Sequence, residues 1–228
     1  MAKDGPFASS EDTRRRLMEA GERLFGERGI YGVTLKEINA AAGQRNESAL
    51  HYHFGSRAGL VSAILKNRVA MIDDRRLEAL EQLERRGGIY SVREVLIATL
   101  TPLFEAAAET SGVFHIRFAA QALAEPSGEL LDLVFAQAPP GHERAAELLH
   151  HATGLDREVV NMRVRFMIES AFLSLASATH RIDPDRDPES WSRFVANIID
   201  AEAGMLEAPI TETSLSRPLY MASGHARA

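Results

Sequence analysis

The chain of 228 residues has no cysteine, which excludes disulfides, thiolate catalysis and Cys-based zinc sites. It has no apolar run approaching the length of a membrane span, and Met-Ala-Lys-Asp-Gly-Pro at its start lacks the apolar region of a secretory leader. No Ser elbow, phosphate loop or dinucleotide-type glycine run occurs. His142-Glu143 and His150-His151 invite a metal reading, but His-Glu-x-x-His needs two histidines four apart on one helix face, and adjacent histidines diverge. No catalytic residue, cofactor or metal is expected, and the protein is expected to be cytoplasmic and not an enzyme. Strong charge of one sign is missing too. The net of −6 argues against a wholly basic nucleic-acid coat protein. The charge is unevenly spread: residues 1–68 hold 11 Lys/Arg against 8 Asp/Glu, a net of +3, and the remainder 15 against 24, a net of −9. A slightly basic N-terminal module on an acidic body suits an anionic partner held at one end.

The remaining composition, 45% apolar and 25% charged, is that of a globular protein, and its patterns are helical throughout. Residues 1–9 read as a disordered arm, from which Lys3 is a candidate to reach DNA. A helix starts near Ser10 with a stripe of Leu17, Ala20, Leu24 and Phe25, and ends at Gly29. Arg14 and Arg15 lie on its polar side, as solvated charges or as contacts to a DNA backbone. Thr34 and Glu37 then form a Thr-x-x-Glu capping box, with Val33 placed to staple onto Ile38. Gly43 supplies the turn, and a second short helix is expected over roughly Asn46–Phe54. Helix, tight turn, helix is the pattern that places its second helix in the DNA major groove.

Ser56 caps a long helix over 57–85, stopped by Arg85-Arg86-Gly87-Gly88. Further helices are expected over Ser91–Ala108 with a kink at Pro102, Val113–Leu123, Glu129–Gln137, His142–His151, Asp156–Arg181 and Pro188–Leu206, and a disordered tail over 207–228. The fold class is therefore all-α, of about nine helices. The expected divisions are a helix-turn-helix domain over 10–56 and a helical effector-binding and dimerisation domain over 57–206, with 57–85 as connecting helix.

The Thr-capped helix, Ala42-Gly43, and Leu50-His51-Tyr52-His53-Phe54-Gly55-Ser56-Arg57-Ala58-Gly59-Leu60 together resemble the DNA-binding domain of the TetR family of transcriptional regulators. The resemblance covers about residues 12–66, and beyond it only the helical character and length fit. Two departures fall at expected DNA contacts. The family commonly has a small residue and Ser or Lys after the turn glycine, where this chain has Gln44-Arg45-Asn46-Glu47, and Tyr where His51 stands.

Base reading needs donors at base edges and cations at phosphates. Arg45 is the candidate for guanine, Gln44 or Asn46 for adenine, and Ala49 for a thymine methyl, with Ser48 small enough for close approach. His51 and Tyr52 are expected at phosphates or thymine methyls, as the resemblance implies. Thr34, Lys36 and Arg57 are candidate phosphate clamps. His53 is expected to pack on the first helix, and Glu47 to stabilise the start of the recognition helix.

In the body, Phe104, Phe114, Phe118, Met162 and Phe166 are candidate walls of a ligand pocket, with Arg117, Gln121 or Arg165 as its polar anchors. Arg117 with Gln121 and Arg165 with Glu169 stand at i,i+4, so each pair has a self-satisfying alternative. The resemblance implies dimerisation through the last two helices, at Met167, Phe172, Leu175, Trp191, Phe194, Ile198 and Ile199. The expected partners are a palindromic operator in double-stranded DNA, a small effector and a second copy of the chain, without a membrane. The expected role is a repressor released by a small, largely apolar effector, with activation open. The alternatives are a non-specific architectural binder, against which the acidic body counts, and a His-dependent metalloenzyme.

Overall fold

The computed structural model describes residues 10–44, 46, 48–109, 112–124 and 139–210. Arg45, Glu47, the arm over 1–9, the helix expected over Glu129–Gln137 and residues 211–228 of the tail lie outside the described residues. Nine α-helices and no strand occur among those described: α1 Ser10–Arg28, α2 Leu35–Ala41, α3 Ala49–Phe54, α4 Arg57–Arg85, α5 Val92–Ala108, α6 Gly112–Leu123, α7 Pro140–Thr153, α8 Arg157–Ala178 and α9 Pro188–Glu207. None of these helices is long and apolar enough to cross a membrane.

Local chemistry accounts for most boundaries. Thr34 Oγ1 accepts from Glu37 N at 3.2 Å while Glu37 takes the Thr34 backbone N–H at 2.8 Å, a complete capping box. The same device recurs at Ser91 and Glu94, where the sequence reading placed only a helix start. Ser56 Oγ accepts from Gly59 N to open α4, and Asp187 with Pro188 opens α9. α5 continues through Pro102. Pro140, expected to lie in a break, is instead the first residue of α7, where its missing N–H is no loss. α3 starts at Ala49 rather than near Asn46. Asn46 Oδ1 accepts from Ser48 N at 2.9 Å, a local side-chain bond that holds Asn46 outside the helix.

Two apolar cores form. One gathers α1–α3 around Leu17, Phe25, Val33, Ile38 and Leu50 and takes in Leu60–Leu65 of α4. It also takes in Phe118, Ala119 and Ala122 of α6, so this core does not end at residue 56. The other joins the rest of α4 to α5, α7, α8 and α9.

These cores correct several residue assignments. Phe118 is fully buried and stacks on Phe25 of α1 with centroids 5.7 Å apart, so it belongs to the head core and not to a body pocket. Gln121 is committed to the end of α1, where its Oε1 accepts from Ile30 N at 3.1 Å. Arg117 caps the end of α8, donating from Nε and Nη2 to Thr179 at 2.9 Å each. Phe104 is buried core, Phe114 packs its backbone against Gly26, and Met162, Arg165 and Phe166 lie on the outer surface of α8. Arg165 pairs with Glu169 there, as the i,i+4 spacing allows.

Five of the seven residues assigned to dimerisation are buried within the protomer. Met167 and Leu175 are essentially inaccessible, and Trp191, Ile198 and Ile199 are buried inside the same protomer. Phe172 and Phe194 are half-buried against the body core. α8 is apolar on nearly every side, so periodicity alone could not say which stripe the chain keeps for itself. The stripe left outside is Met162, Phe166 and Leu173, each about half exposed.

Candidate nucleic-acid interface

α3 has one buried and one open face. Leu50, 1% accessible, anchors it in the head core. Phe54 is half-buried beneath the Arg14 guanidinium, which lies 5.4 Å from the ring centroid. This contact to α1 falls to Phe54; His53, expected against α1, is half-buried and flanked by the Tyr52 and Phe54 rings. The opposite face carries Ser48, His51 and Tyr52 at i, i+3 and i+4, all exposed, with Tyr52 at 82%. An aromatic and an imidazole presented side by side to solvent on a six-residue helix form a surface able to meet base edges and phosphates.

Around this face, Lys36 is exposed in the first turn of α2, and Asn46 is exposed before α3 with its Oδ1 taken by the Ser48 N–H. Ala49 is half-buried. Gln44 is half-buried beside the turn, with Nε2 3.4 Å from Ala42 O. Gly43, with φ +68°, makes the turn itself.

Two expected phosphate clamps are engaged elsewhere. Thr34 donates its hydroxyl to Glu37 at 2.7 Å, completing the cap. Hydrogen bonds from Thr34, with that from Arg28, hold the Glu37 carboxyl down at about 2. Arg57 is half-buried, donating to Ile30 O and lying 5.9 Å over the Phe25 ring, so it staples α4 to the end of α1.

The head is tied to the body by groups the sequence reading did not single out. Glu22 of α1, 6% accessible, receives the Arg68 guanidinium of α4 through Nε at 2.9 Å and Nη2 at 2.6 Å. His115 Nδ1 of α6 lies 3.0 Å from the same carboxylate and is equally buried. Burial pushes Glu22 upward, but the hydrogen bonds to His115 and Arg68 outweigh it and leave its carboxyl below the usual range. Close by, a Cβ added at Gly26 would fall 2.4 Å from Phe114 O, so α1 and α6 touch backbone to backbone. A signal was present: Glu22 stands four residues after Met18 and three before Phe25, on the buried stripe of α1.

Known proteins share these features. The sequence profile described as "Bacterial regulatory proteins, tetR family" matches residues 17–64, from the first buried leucine of α1 to the start of α4. The HTH-type transcriptional regulator TtgR of Pseudomonas putida is 39% identical over 56 residues. That stretch is 25% of this chain and 26% of TtgR, so the chain spans about a quarter of the curated relatives it matches. The whole architecture is similar to solved structures. Salmonella enterica GusR matches with a TM-score of 0.54 at 16% identity, covering 86% of this chain and 96% of GusR. NalD of Pseudomonas aeruginosa, described as the secondary repressor of the MexAB-OprM multidrug efflux pump, matches at 0.53 and 17%, covering 84% and 97%.

Residues 17–64 carry the N-terminal segment of the TetR family.

The body holds a second feature of interest. A cavity of about 80 Å³ lies between α4, α5, α7 and α8. Its wall is apolar except for Arg76, Thr99 and His142, and includes Met167 and Phe172. None of the residues expected to bind a ligand lines it. The histidines that suggested a metal do not converge: His150 Nδ1 meets Leu155 O at 2.6 Å and His151 Nδ1 meets Glu147 O at 2.8 Å. Among the described residues no group of three His, Asp or Glu could hold an ion.

Proposed function

We propose that the protein is a homodimeric transcriptional repressor that binds a palindromic operator through α3 and leaves it when a small, largely apolar molecule enters the body. The observation that carries this is the open face of Ser48, His51 and Tyr52 on a helix locked from behind by Leu50 and Phe54. Lys36, Asn46, Gln44 and Ala49 border that face, and Arg45, outside the described residues, is the proposed guanine reader. Thr34 and Arg57 shape the interface by fixing α2 and α4 rather than by touching phosphate. The names of TtgR and NalD support the regulatory reading, and NalD's that of a repressor.

One short helix spans only a few base pairs, so a full site needs two copies, with heads about 34–36 Å apart on successive turns of the duplex. Met162, Phe166 and Leu173 are the proposed meeting face, spaced by four and seven residues along one side of α8. Ala201 and Gly204 are the exposed small residues of α9, where a partner helix can approach closely.

A random-site selection tests the function. It should recover an inverted repeat bound by the wild-type chain, with Phe166→Glu giving monomers in sedimentation and losing the repeat. Failure to enrich any sequence would contradict the proposal, and equal binding to all duplexes would favour an architectural role. A reporter fused to the recovered site reads repression against activation.

A further inference from the structure

The cavity in the body has an asymmetric chemistry. One side is hydrocarbon, contributed by Val69, Ile72, Leu100, Leu103, Met167 and Phe172. The other side carries the Arg76 guanidinium, only 13% exposed. Arg76 is anchored: Nε donates to Thr99 O at 3.1 Å and Nη1 to Asp73 Oδ1 at 2.6 Å. Among the described residues Nη2 donates to nothing. Asp73 is 3% accessible, and its second oxygen accepts from Gly141 N at 2.8 Å. A Cβ at Gly141 would stand 2.8 Å from Asp73 Oδ1, so α7 reaches this carboxylate only through a glycine.

Resting on the reading of this cavity as the effector site, we propose that the effector is an uncharged molecule with a compact apolar body and a single hydrogen-bond acceptor, received by Arg76 Nη2. A ketone, ester, lactone or ether oxygen fits this description, and a carboxylate or phosphate does not. The reason is charge. Arg76 is already neutralised by Asp73 at hydrogen-bonding distance, so an anionic ligand would bring an uncompensated charge into a dry, low-dielectric space. His142, on the same wall, adds no positive charge near neutral pH. Burial, reinforced by Arg76 and opposed by Asp73, lowers it to about 4.

The sequence expectation placed a polar anchor at Arg117 or Arg165, and both guanidinium groups are engaged outside this cavity. The Arg76 contact also suggests how occupancy reaches the head. The acceptor engages a guanidinium fixed to α4, the helix whose Arg68 holds Glu22 of α1. The space is smaller than an apolar cavity of about 150 Å³ known to admit benzene. A ligand of that size or larger must displace Val69, Ile168 or Phe172, the half-buried part of the wall.

Three isosteric probes test the class: 3-methyl-2-butanone, isobutyrate and 2,3-dimethylbutane, titrated into the full-length protein while methyl resonances of Ile72, Met167 and Ile168 are followed. The ketone should bind about tenfold more tightly than the alkane, the difference expected for one hydrogen bond to a charged donor. Isobutyrate should bind at least tenfold more weakly than the ketone. Equal or tighter binding of isobutyrate, or no response of the cavity methyls to any probe, overturns the inference. Asp73→Asn, which removes the charge and keeps only one of the two acceptor oxygens used by Arg76 Nη1 and Gly141 N, should reverse the order in favour of isobutyrate. Arg76→Lys should remove the preference of ketone over alkane while leaving alkane affinity within twofold. The same samples titrated against operator DNA separate the two readings. A ketone that fills the cavity without loosening DNA sinks the effector reading and leaves the ligand class standing.

Discussion

Head and body of this chain bury charge in opposite ways. In the head the buried carboxylate, Glu22, joins three helices, so its partners lie 46 and 93 residues away in sequence. In the body a buried carboxylate, Asp73, pairs with a guanidinium three residues along its own helix and with the first turn of α7. The first arrangement fixes the angle between the DNA-facing unit and the helices behind it. The second leaves one guanidinium nitrogen at a cavity. The difference places a three-helix ion pair at the junction and a two-residue pair beside the cavity, both involving α4.

The comparison breaks most severely if the junction is cut. Glu22→Ala leaves Arg68 and His115 facing a vacated buried site, and the loss should be about 3 kcal/mol of unfolding free energy in urea. Glu22→Leu with Arg68→Met should recover much of it, because replacing a buried pair by hydrocarbon is close to neutral. A Glu22→Ala loss below about 1 kcal/mol would show that packing, not the ion pair, holds the head.

Acid should separate the regions next. His142 is near 4 when folded against 6.5 in an open chain, so between those values only the unfolded state takes up the proton. Stability should therefore be fully present above pH about 6.5 and fall by about 3 kcal/mol as pH drops to about 4. Glu22, whose folded carboxyl lies below its usual range, contributes stability present above about 4.5 and lost on further acidification. Denaturation curves of His142→Leu should lose the first slope and keep the second. An unchanged profile would contradict the burial of His142.

A smaller effect sharpens the contrast. Thr34→Ala removes an exposed cap and should cost about 1 kcal/mol without altering probe binding in the body. Coupling of the two would show that the cap is not local.

These effects also mark what the sequence could reveal. Caps, turn glycines and helix limits are set by residues within four positions, so Thr34, Glu37, Gly43 and Ser56 were readable directly. The start of α3 was not, because Asn46 can cap a helix or close a turn and only the backbone decides. Phe118 and Gln121 lie in an apolar segment whose periodicity gives a buried face but not its neighbour, and α6 turned out to face α1. Met167 and Leu175, expected at a dimer face, lie inside the protomer, and the sequence could not say so because α8 offers apolar residues in every direction. Glu22, Asp73 and Arg76 were legible only as charges on apolar stripes, since their partners come from other helices or depend on burial.

The most direct test of the account is the binding of the selected inverted repeat by wild-type and Tyr52→Ala protein across a salt series, followed by fluorescence anisotropy. Tyr52 is 82% exposed, so its removal should change stability by less than about 0.5 kcal/mol. The account predicts wild-type affinity that falls linearly on logarithmic axes as salt rises, and a variant that folds normally yet binds the repeat at least tenfold more weakly. Wild-type binding indifferent to salt, or a variant that binds as tightly as wild type, would contradict the claim that this face of α3 reads DNA.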